Sequence, residues 1–510
     1  MSKAQTQAGP SLLATDLYQL TMAQAYLRHG VSGTRAQFDV FFRSLPSYGE
    51  HQAGYAVAAG LEGLLEYLAE ACLTSDDEAL LRAMRTPSGA PLFDDTFVAW
   101  LRSQRGFADV TLRAVPEGRV VHPGTPIAVV EAPLAVAQLL ETAVLNQLNY
   151  PTLIATRAAR LRHAAGGRPL LEFGMRRGHG CAVDAGARAA LIGGVDASSN
   201  TGASLRVGVD PRGTHAHSFI QAFTALGGDE LAAFRAYADV YPDDCLLLLD
   251  TVDTLGSGLP NAITVFEELR SRGHEPRGVR LDSGDLAHLA LRVAHALDAA
   301  GFDRTVITLS NQLDELTIWQ IRQQIRDEAP GVGVGADAVL ERLVYGVGTR
   351  LITSHGAPAL DGVYKLVTVQ RDGAWVPSAK RSDTPEKATL PGPKALHRVY
   401  DARGMATADL ITLADERVDP GAPITLHHPS DERSRTLQLT EVSSIEALLQ
   451  PAWRGGRATS ASLGIPELRA RREADEALLD AGVRRLRNPH VYHVSVSERL
   501  WRLRHGREAS

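Results

Sequence analysis

Cysteine is scarce in this chain. Cys72, Cys181 and Cys245 are the three present among 510 residues, far apart and outside any C-x-x-C arrangement. Their number and spacing exclude a disulfide framework and a cysteine-built zinc site and suit a reducing compartment, so a cytoplasmic protein is expected. Long apolar runs are missing too. No uncharged stretch is of membrane-spanning length, and MSKAQTQAGPSLLATD at the N-terminus has no apolar segment behind Lys3 to serve as an export signal. Nor is there surplus positive charge: 53 Lys and Arg against 59 Asp and Glu give a net charge of -6, which argues against nucleic acid or a membrane surface as the main partner. An anionic ligand must therefore be met by local cations.

What is present is ordinary globular composition, 44% hydrophobic and 22% charged, in a chain too long for one simple core. Thr15 and Asp16 signal a helix start, with Tyr18 in the first turn and a stop at Gly30. AQFDVFFR (36–43) alternates like a strand, Ser75 to Glu78 reads as a capping box, and 109–133 breaks into short β-like runs separated by Gly and Pro. Beyond about residue 155 helices and strands alternate. The expected strands are LLEFG (170–174), a weak one before Gly213, LLLLD (246–250), GVRLD (278–282), TVITLS (305–310) and LVYGVG (343–348). Polar residues cluster at their C-terminal ends, where a parallel α/β barrel builds its site, although an open doubly wound sheet shares that property. GVGVG (331–335) follows no strand and reads as a loop, and Gly404 sits in the turn of a hairpin.

The chemistry concentrates in a few stretches. GTHAHSF carries His215 and His217, with three readings: satisfied histidines, metal ligands of an amidohydrolase-like barrel, or an imidazole that accepts a phosphoryl group. The last needs a group holding the other ring nitrogen, and Asp250 is the candidate. GVRLDSGDL packs Arg280, Asp282, Ser283, Gly284 and Asp285 into one strand-to-helix turn, able to bind a carboxylate, sugar hydroxyls or a phosphate with its Mg2+. The plainer explanation is a helix capped by Asp282 or Ser283, and the two are compatible. YGVGT offers the backbone N–H groups of Gly348 and Thr349 to a phosphate, and Arg176 with Arg177 stands just past a strand.

Taken together, TDLYQLTM, FFR, EFGMRR, GGVDASSN, GTHAHSF, LLLDT, VRLDSGDL, GVGT and GVYKL resemble the nicotinate phosphoribosyltransferases, in that family's order. The resemblance implies an α/β protein: an irregular (β/α) barrel with the active site over 151–379, and a sandwich-like α/β domain over 1–150 to which 380–510 return. It implies a homodimer with shared sites. The implied reaction joins nicotinate to 5-phosphoribosyl-1-diphosphate with coupled ATP hydrolysis, Mg2+ and a phosphohistidine at His217. Tyr18 and Phe173 correspond to the residues flanking the pyridine ring, Arg280 and Thr214 to nicotinate-site residues, Arg176 to an anion contact and Thr349 to the phosphoribosyl diphosphate site. RSLPSYGEHQAGY after FFR and an insertion-like segment over 328–342 depart from the family pattern. The rivals are a nicotinamide phosphoribosyltransferase, with Asp196 contacting the amide, and a metal-dependent hydrolase built on His215 and His217.

Overall fold

The protein is described here by a computed structural model over residues 10–180, 182–379 and 389–506; the stretch around Lys3 and the position of Cys181 lie outside these. The chain divides into two compact units, Met1–Thr156 with Ala359–Ser510, and Arg157–Pro358. No helix among the described residues is long and apolar enough to cross a membrane.

In the second unit the apolar runs become six short parallel strands: Leu170–Glu172, Ala197–Ser198, Leu246–Leu248, Gly278–Leu281, Val306–Leu309 and Leu343–Val347. Leu246–Leu248 and Leu343–Val347 are buried at every position, as expected of parallel strands covered on both faces. Crossover helices such as Leu259–Ser271, Leu286–Ala299 and Glu315–Val332 do the covering. The last strand in sequence pairs with the first, so the neighbours run round in chain order. Among the described residues one pairing is missing, between Ala197–Ser198 and Leu246–Leu248, and the strands form a curled sheet with an open seam there.

The strand expected before Gly213 does not form. Residues 207–216 run without regular structure, because Gly208 turns the chain with a positive φ and Pro211 has no N–H to give a ladder. They bridge the seam instead. The Arg212 N–H donates to the Ser198 carbonyl at 3.0 Å, and on the far side the Leu248 N–H donates to His215 Nε2 at 3.2 Å. His215 thus satisfies an edge-strand donor that a further strand would otherwise have taken.

The first unit is mixed. Arg35–Phe42 lies within a seven-stranded sheet, antiparallel to Ala128–Pro133 on one side and Gly362–Arg371 on the other, and Gln450–Arg454 pairs with Thr111–Ala114. The barrel segment therefore ends at Pro358 rather than running to 379. Tyr364 and Val367 are buried in the first unit, with Tyr364 stacked on Phe38 at 4.6 Å between ring centroids. A second, six-stranded sheet contains the hairpin Lys394–Asp401 and Ala406–Leu413, with Gly404 at a φ of 77° in its turn. Two local readings shift. The capping box belongs to Thr74 and Asp77, one residue earlier than the spacing suggested. The helix Glu315–Val332 continues through Pro330 and Gly331 and ends at left-handed Gly333, so only the end of GVGVG is loop.

Burial lowers the pKa of His215 to about 4 from 6.5. Between these values the unfolded chain binds the proton and the folded protein does not. Stability contributed here is therefore complete above pH 6.5, falls by about 3 kcal/mol as the pH drops to 4, and levels off below. His215→Gln keeps an acceptor for the Leu248 N–H and removes the titration. Its melting temperature should accordingly decline less steeply than that of the wild type over this interval; parallel curves would show that His215 does not carry the effect.

Candidate active site

At the C-terminal ends of the parallel strands the second unit gathers polar side chains from the segments that follow all six. Arg280 organises them. It lies one residue before the end of the strand Gly278–Leu281, where its guanidinium is held by three neighbours: Nε donates to Ser310 Oγ at 2.9 Å, one terminal nitrogen donates to Thr214 Oγ1 at 3.0 Å, and the other lies 3.2 Å from Asp282 Oδ2. Ser310 in turn donates to Asp282 Oδ1 at 2.6 Å. These bonds leave part of the guanidinium's five N–H donors for a ligand. Its carbon sits 5.6 Å from the centre of the Phe173 ring, within cation–π range.

Phe173 follows the strand Leu170–Glu172 and packs closely against the next strand because Gly346 has no side chain. A Cβ at Gly346 would come within 2.5 Å of the ring. The Phe173 N–H is tied to the Val347 carbonyl at 2.8 Å, and the preceding Glu172 is buried and accepts from Ser198 Oγ and the Gly174 N–H. Burial raises the pKa of Glu172 while those two donors oppose the shift. The strand end is thereby fixed on both sides of the ring.

Phe173, Arg176, Arg280, Asp282, Gly348 and Thr349 all line one polar pocket of about 180 Å3. Arg176 and Arg177 are exposed in a single 3-10 turn and form no ion pair with any described residue, so both are free to meet an anion. The same pocket contains Ser310, Asn311 and Gln312, to which the sequence reading assigned no role. Their signal was available as a polar triplet directly after an apolar strand. Asn311 and Gln312 adopt φ values of 93° and 52°, unusual for side-chain-bearing residues and characteristic of sites held in place by their surroundings.

His217 opens the helix His217–Ala225 beside this pocket rather than among its lining residues. Asp250 does not hold its ring as expected. Nδ1 bonds instead to Thr251 Oγ1 at 3.0 Å, one residue further on, while Nε2 lies 3.9 Å from Asp250 Oδ1 and 3.9 Å from Asp282 Oδ2. Asp250 Oδ2 accepts from Ser283 Oγ, and its buried Oδ1 has no hydrogen-bond partner. Ser283 and Gly284, the latter at a φ of 75°, form the turn into Leu286–Ala299. The cap of that helix is Asp285, which accepts from the Ala287 and His288 N–H groups, and not Asp282 or Ser283.

Three sequence candidates stand apart. His215 is a seam residue whose Nε2 already accepts from Leu248, so the H-x-H pair does not converge as metal ligands. Among the described residues no group of three His, Cys, Asp or Glu side chains could hold a metal by itself. Asp196 precedes its strand, at the end away from the pocket, and binds Arg162 and the Leu170 N–H. Tyr18 belongs to the first unit, where Leu17, Tyr18 and Met22 leave the helix Leu17–Arg28 with exposed apolar side chains. Cys72 and Cys245 are free thiols.

Comparison with known proteins places these residues in context. The chain matches the nicotinate phosphoribosyltransferase N-terminal domain over residues 13–149, the nicotinate phosphoribosyltransferase family over 169–404 and the corresponding C-terminal domain over 393–504. It is 40% identical to the nicotinate phosphoribosyltransferase of Bacillus subtilis, with 96% of this chain and 93% of that protein covered. The human nicotinate phosphoribosyltransferase is 34% identical, with 97% and 96% covered. The crystal structure of human nicotinic acid phosphoribosyltransferase superposes with a TM-score of 0.77 at 32% identity, covering 96% of this chain and 99% of that one.

The contact between Gly346 and Phe173 is directly testable. Gly346→Ala should cost about 1–3 kcal/mol of stability through overpacking, and Phe173→Ala in the same background should recover much of it. A Gly346→Ala protein that melts with the wild type would mean that the ring is not held by this contact.

Proposed function

This chain belongs to the nicotinate phosphoribosyltransferase family, and we propose that His217 couples its reaction to ATP as a transient phosphohistidine. The reaction serves NAD salvage: nicotinate displaces diphosphate from 5-phosphoribosyl-1-diphosphate, giving nicotinate mononucleotide. The observation that carries the proposal is the unequal treatment of the two nitrogens of His217. Nδ1 is engaged by Thr251 Oγ1, and in the tautomer that carries its proton on Nδ1 the other nitrogen, Nε2, keeps its lone pair for a phosphoryl donor. Nε2 attacks the γ-phosphorus of ATP as the bond to ADP breaks, and water later cleaves the P–N bond. Between those steps His217 carries about two negative charges beside the pocket, a change large enough to alter substrate affinity by linkage.

Two carboxylates next to a phosphoryl acceptor call for a cation. The orphaned Oδ1 of Asp250, together with Asp282, fits Mg2+, which typically takes one or two carboxylates and fills its other positions with water and phosphate oxygens. Bound there, Mg2+ would neutralise phosphate charge.

The remaining residues position the substrates. Phe173 supplies a face for the pyridine ring and Arg280, steadied by Thr214 and Ser310, the cation for its carboxylate. Arg176, Ser283, Gly284 and the Gly348–Thr349 backbone are assigned to the phosphoribosyl diphosphate. Nicotinate is favoured over nicotinamide because Asp196, the carboxylate suggested for amide recognition, is engaged at the opposite strand end. Breaking the bond at C1 of the ribose develops oxocarbenium character, so holding ring nitrogen and diphosphate on opposite faces is the main task. The exposed Tyr18 helix supports a homodimer in which that ring completes the neighbouring site. The use of ATP and phosphoribosyl diphosphate supports a cytoplasmic setting.

His217→Ala should abolish acid-labile labelling of the protein by γ-labelled ATP, and nicotinate-stimulated ATP hydrolysis with it. ATP turnover that survives the substitution would remove the phosphohistidine. Arg280→Met should raise the KM for nicotinate about 10- to 100-fold through loss of a charge-assisted bond, measured by initial rates.

A further inference from the structure

The first unit contains a second cavity, of about 430 Å3, that shares no residue with the pocket of the barrel unit. Its walls are largely apolar, yet three of its lining residues, Asp39, His122 and Lys394, are polar and at most 2% exposed. Lys394 is fully used: Nζ donates to the Leu390 and Gly392 carbonyls at 2.6 and 2.8 Å and pairs with Asp39 Oδ2 at 2.9 Å. Asp39 Oδ1 is not, and it has no hydrogen-bond partner. His122 stacks on Tyr492 with ring centroids 3.8 Å apart and planes 9° from parallel, and neither of its nitrogens has a partner. Burial pushes its pKa down to about 3, so the imidazole is neutral and presents one N–H and one lone pair.

Buried polar atoms are normally paired, and three unmet ones in one cavity define a complement. Asp39 Oδ1 and the bare nitrogen of His122 each need a donor, and the His122 N–H needs an acceptor. The two imidazole nitrogens point apart, so one ligand edge meets only one of them; an NH2 group for Asp39 Oδ1 next to a ring nitrogen or an amide oxygen for the His122 N–H supplies one donor and one acceptor of that set. A carboxylate has no donor and would meet the charge of Asp39. Arg43, exposed and 3.6 Å from Asp361, and Arg504, half-buried and donating to the Pro429 carbonyl, also line the cavity and bring it guanidinium charge that suits an anionic substituent. The volume falls within the range of small-molecule sites.

We propose that this cavity binds a nucleoside monophosphate whose base carries an exocyclic amino or carboxamide group, independently of the transferase site. The reaction's own product has a carboxylate in that place and is excluded. Adenine and pyridine carboxamide nucleotides share the required chemistry. The inference does not depend on His217 or on ATP coupling.

The test is calorimetric titration of the full-length protein, with the transferase site first saturated by nicotinate mononucleotide. AMP and nicotinamide mononucleotide are then added in separate arms, and at least one should bind at one equivalent per chain. Purine riboside monophosphate, which lacks the amino group of AMP, should bind about tenfold more weakly than AMP if adenine is the ligand. His122→Phe keeps the stack on Tyr492 without the nitrogens. It should weaken binding by a similar factor while leaving kcat and the KM for nicotinate unchanged, and His122→Gln should restore part of the affinity. The proposal is overturned if neither nucleotide binds at millimolar concentration, if His122→Phe binds as the wild type does, or if nicotinate mononucleotide itself fills the cavity.

Discussion

The segment that bridges the open seam of the barrel unit is tied to its far strand by a hydrogen bond from the Leu248 N–H to His215 Nε2, and much of the site's geometry follows from it. A parallel sheet curled on itself but short of closure leaves donors and acceptors facing across a gap too wide for a ladder. The chain fills that gap with an irregular segment tied at one side to Ser198 and at the other to Leu248. Such a segment is not bound to the period of a strand, so two residues past His215 it can turn into a helix that begins with His217. The price of that freedom is a buried imidazole that must stay neutral.

The same segment delivers Thr214 to Arg280, which connects the seam with the two strands beyond it. Arg280 is bound to Thr214, Ser310 and Asp282, and Asp282 also faces His217. Cation, carboxylate and histidine therefore share partners. A change of charge at His217 acts on Asp282, and Asp282 is itself in contact with the guanidinium that faces the ring platform. The phosphorylation proposed at His217 would thus have a short physical route to the guanidinium beside Phe173, made of side chains within about 4 to 6 Å of one another.

Much of the framework was legible because buried parallel strands are written as continuous apolar runs. LLLLD and GVRLD announce both the strand and, by the aspartate that follows it, the face on which chemistry will sit, and LVYGVG does so by the glycine turn at its end. The weak strand before Gly213 was misread because glycines and a proline punctuate a bridge much as they punctuate a turn. Gly362–Arg371 was assigned to the wrong unit for a related reason. Its alternating pattern shows that it is a strand and says nothing of which partner lies beside it. Asp285 rather than Ser283 caps its helix because Gly284, at positive φ, carries the chain one residue further before the helix begins.

What the sequence by itself determined is the inventory and its order: two histidines two apart, an arginine close to a strand end, paired arginines, a glycine turn after a strand, and the resemblance those motifs carry. Composition also determined that anions must be met locally. Only the tertiary structure decided which histidine is free, because that depends on a backbone N–H thirty-three residues away in sequence. It decided that Thr251 meets Nδ1 of His217 while Asp250, its neighbour at a strand end, stands 3.9 Å from Nε2. And it decided that Asp39 and His122, unremarkable in the sequence, line one cavity with Asp39 Oδ1 and both His122 nitrogens unmet. Residue type determines what a group can do. Whether it is left free to act depends on which other groups the fold brings within hydrogen-bonding distance.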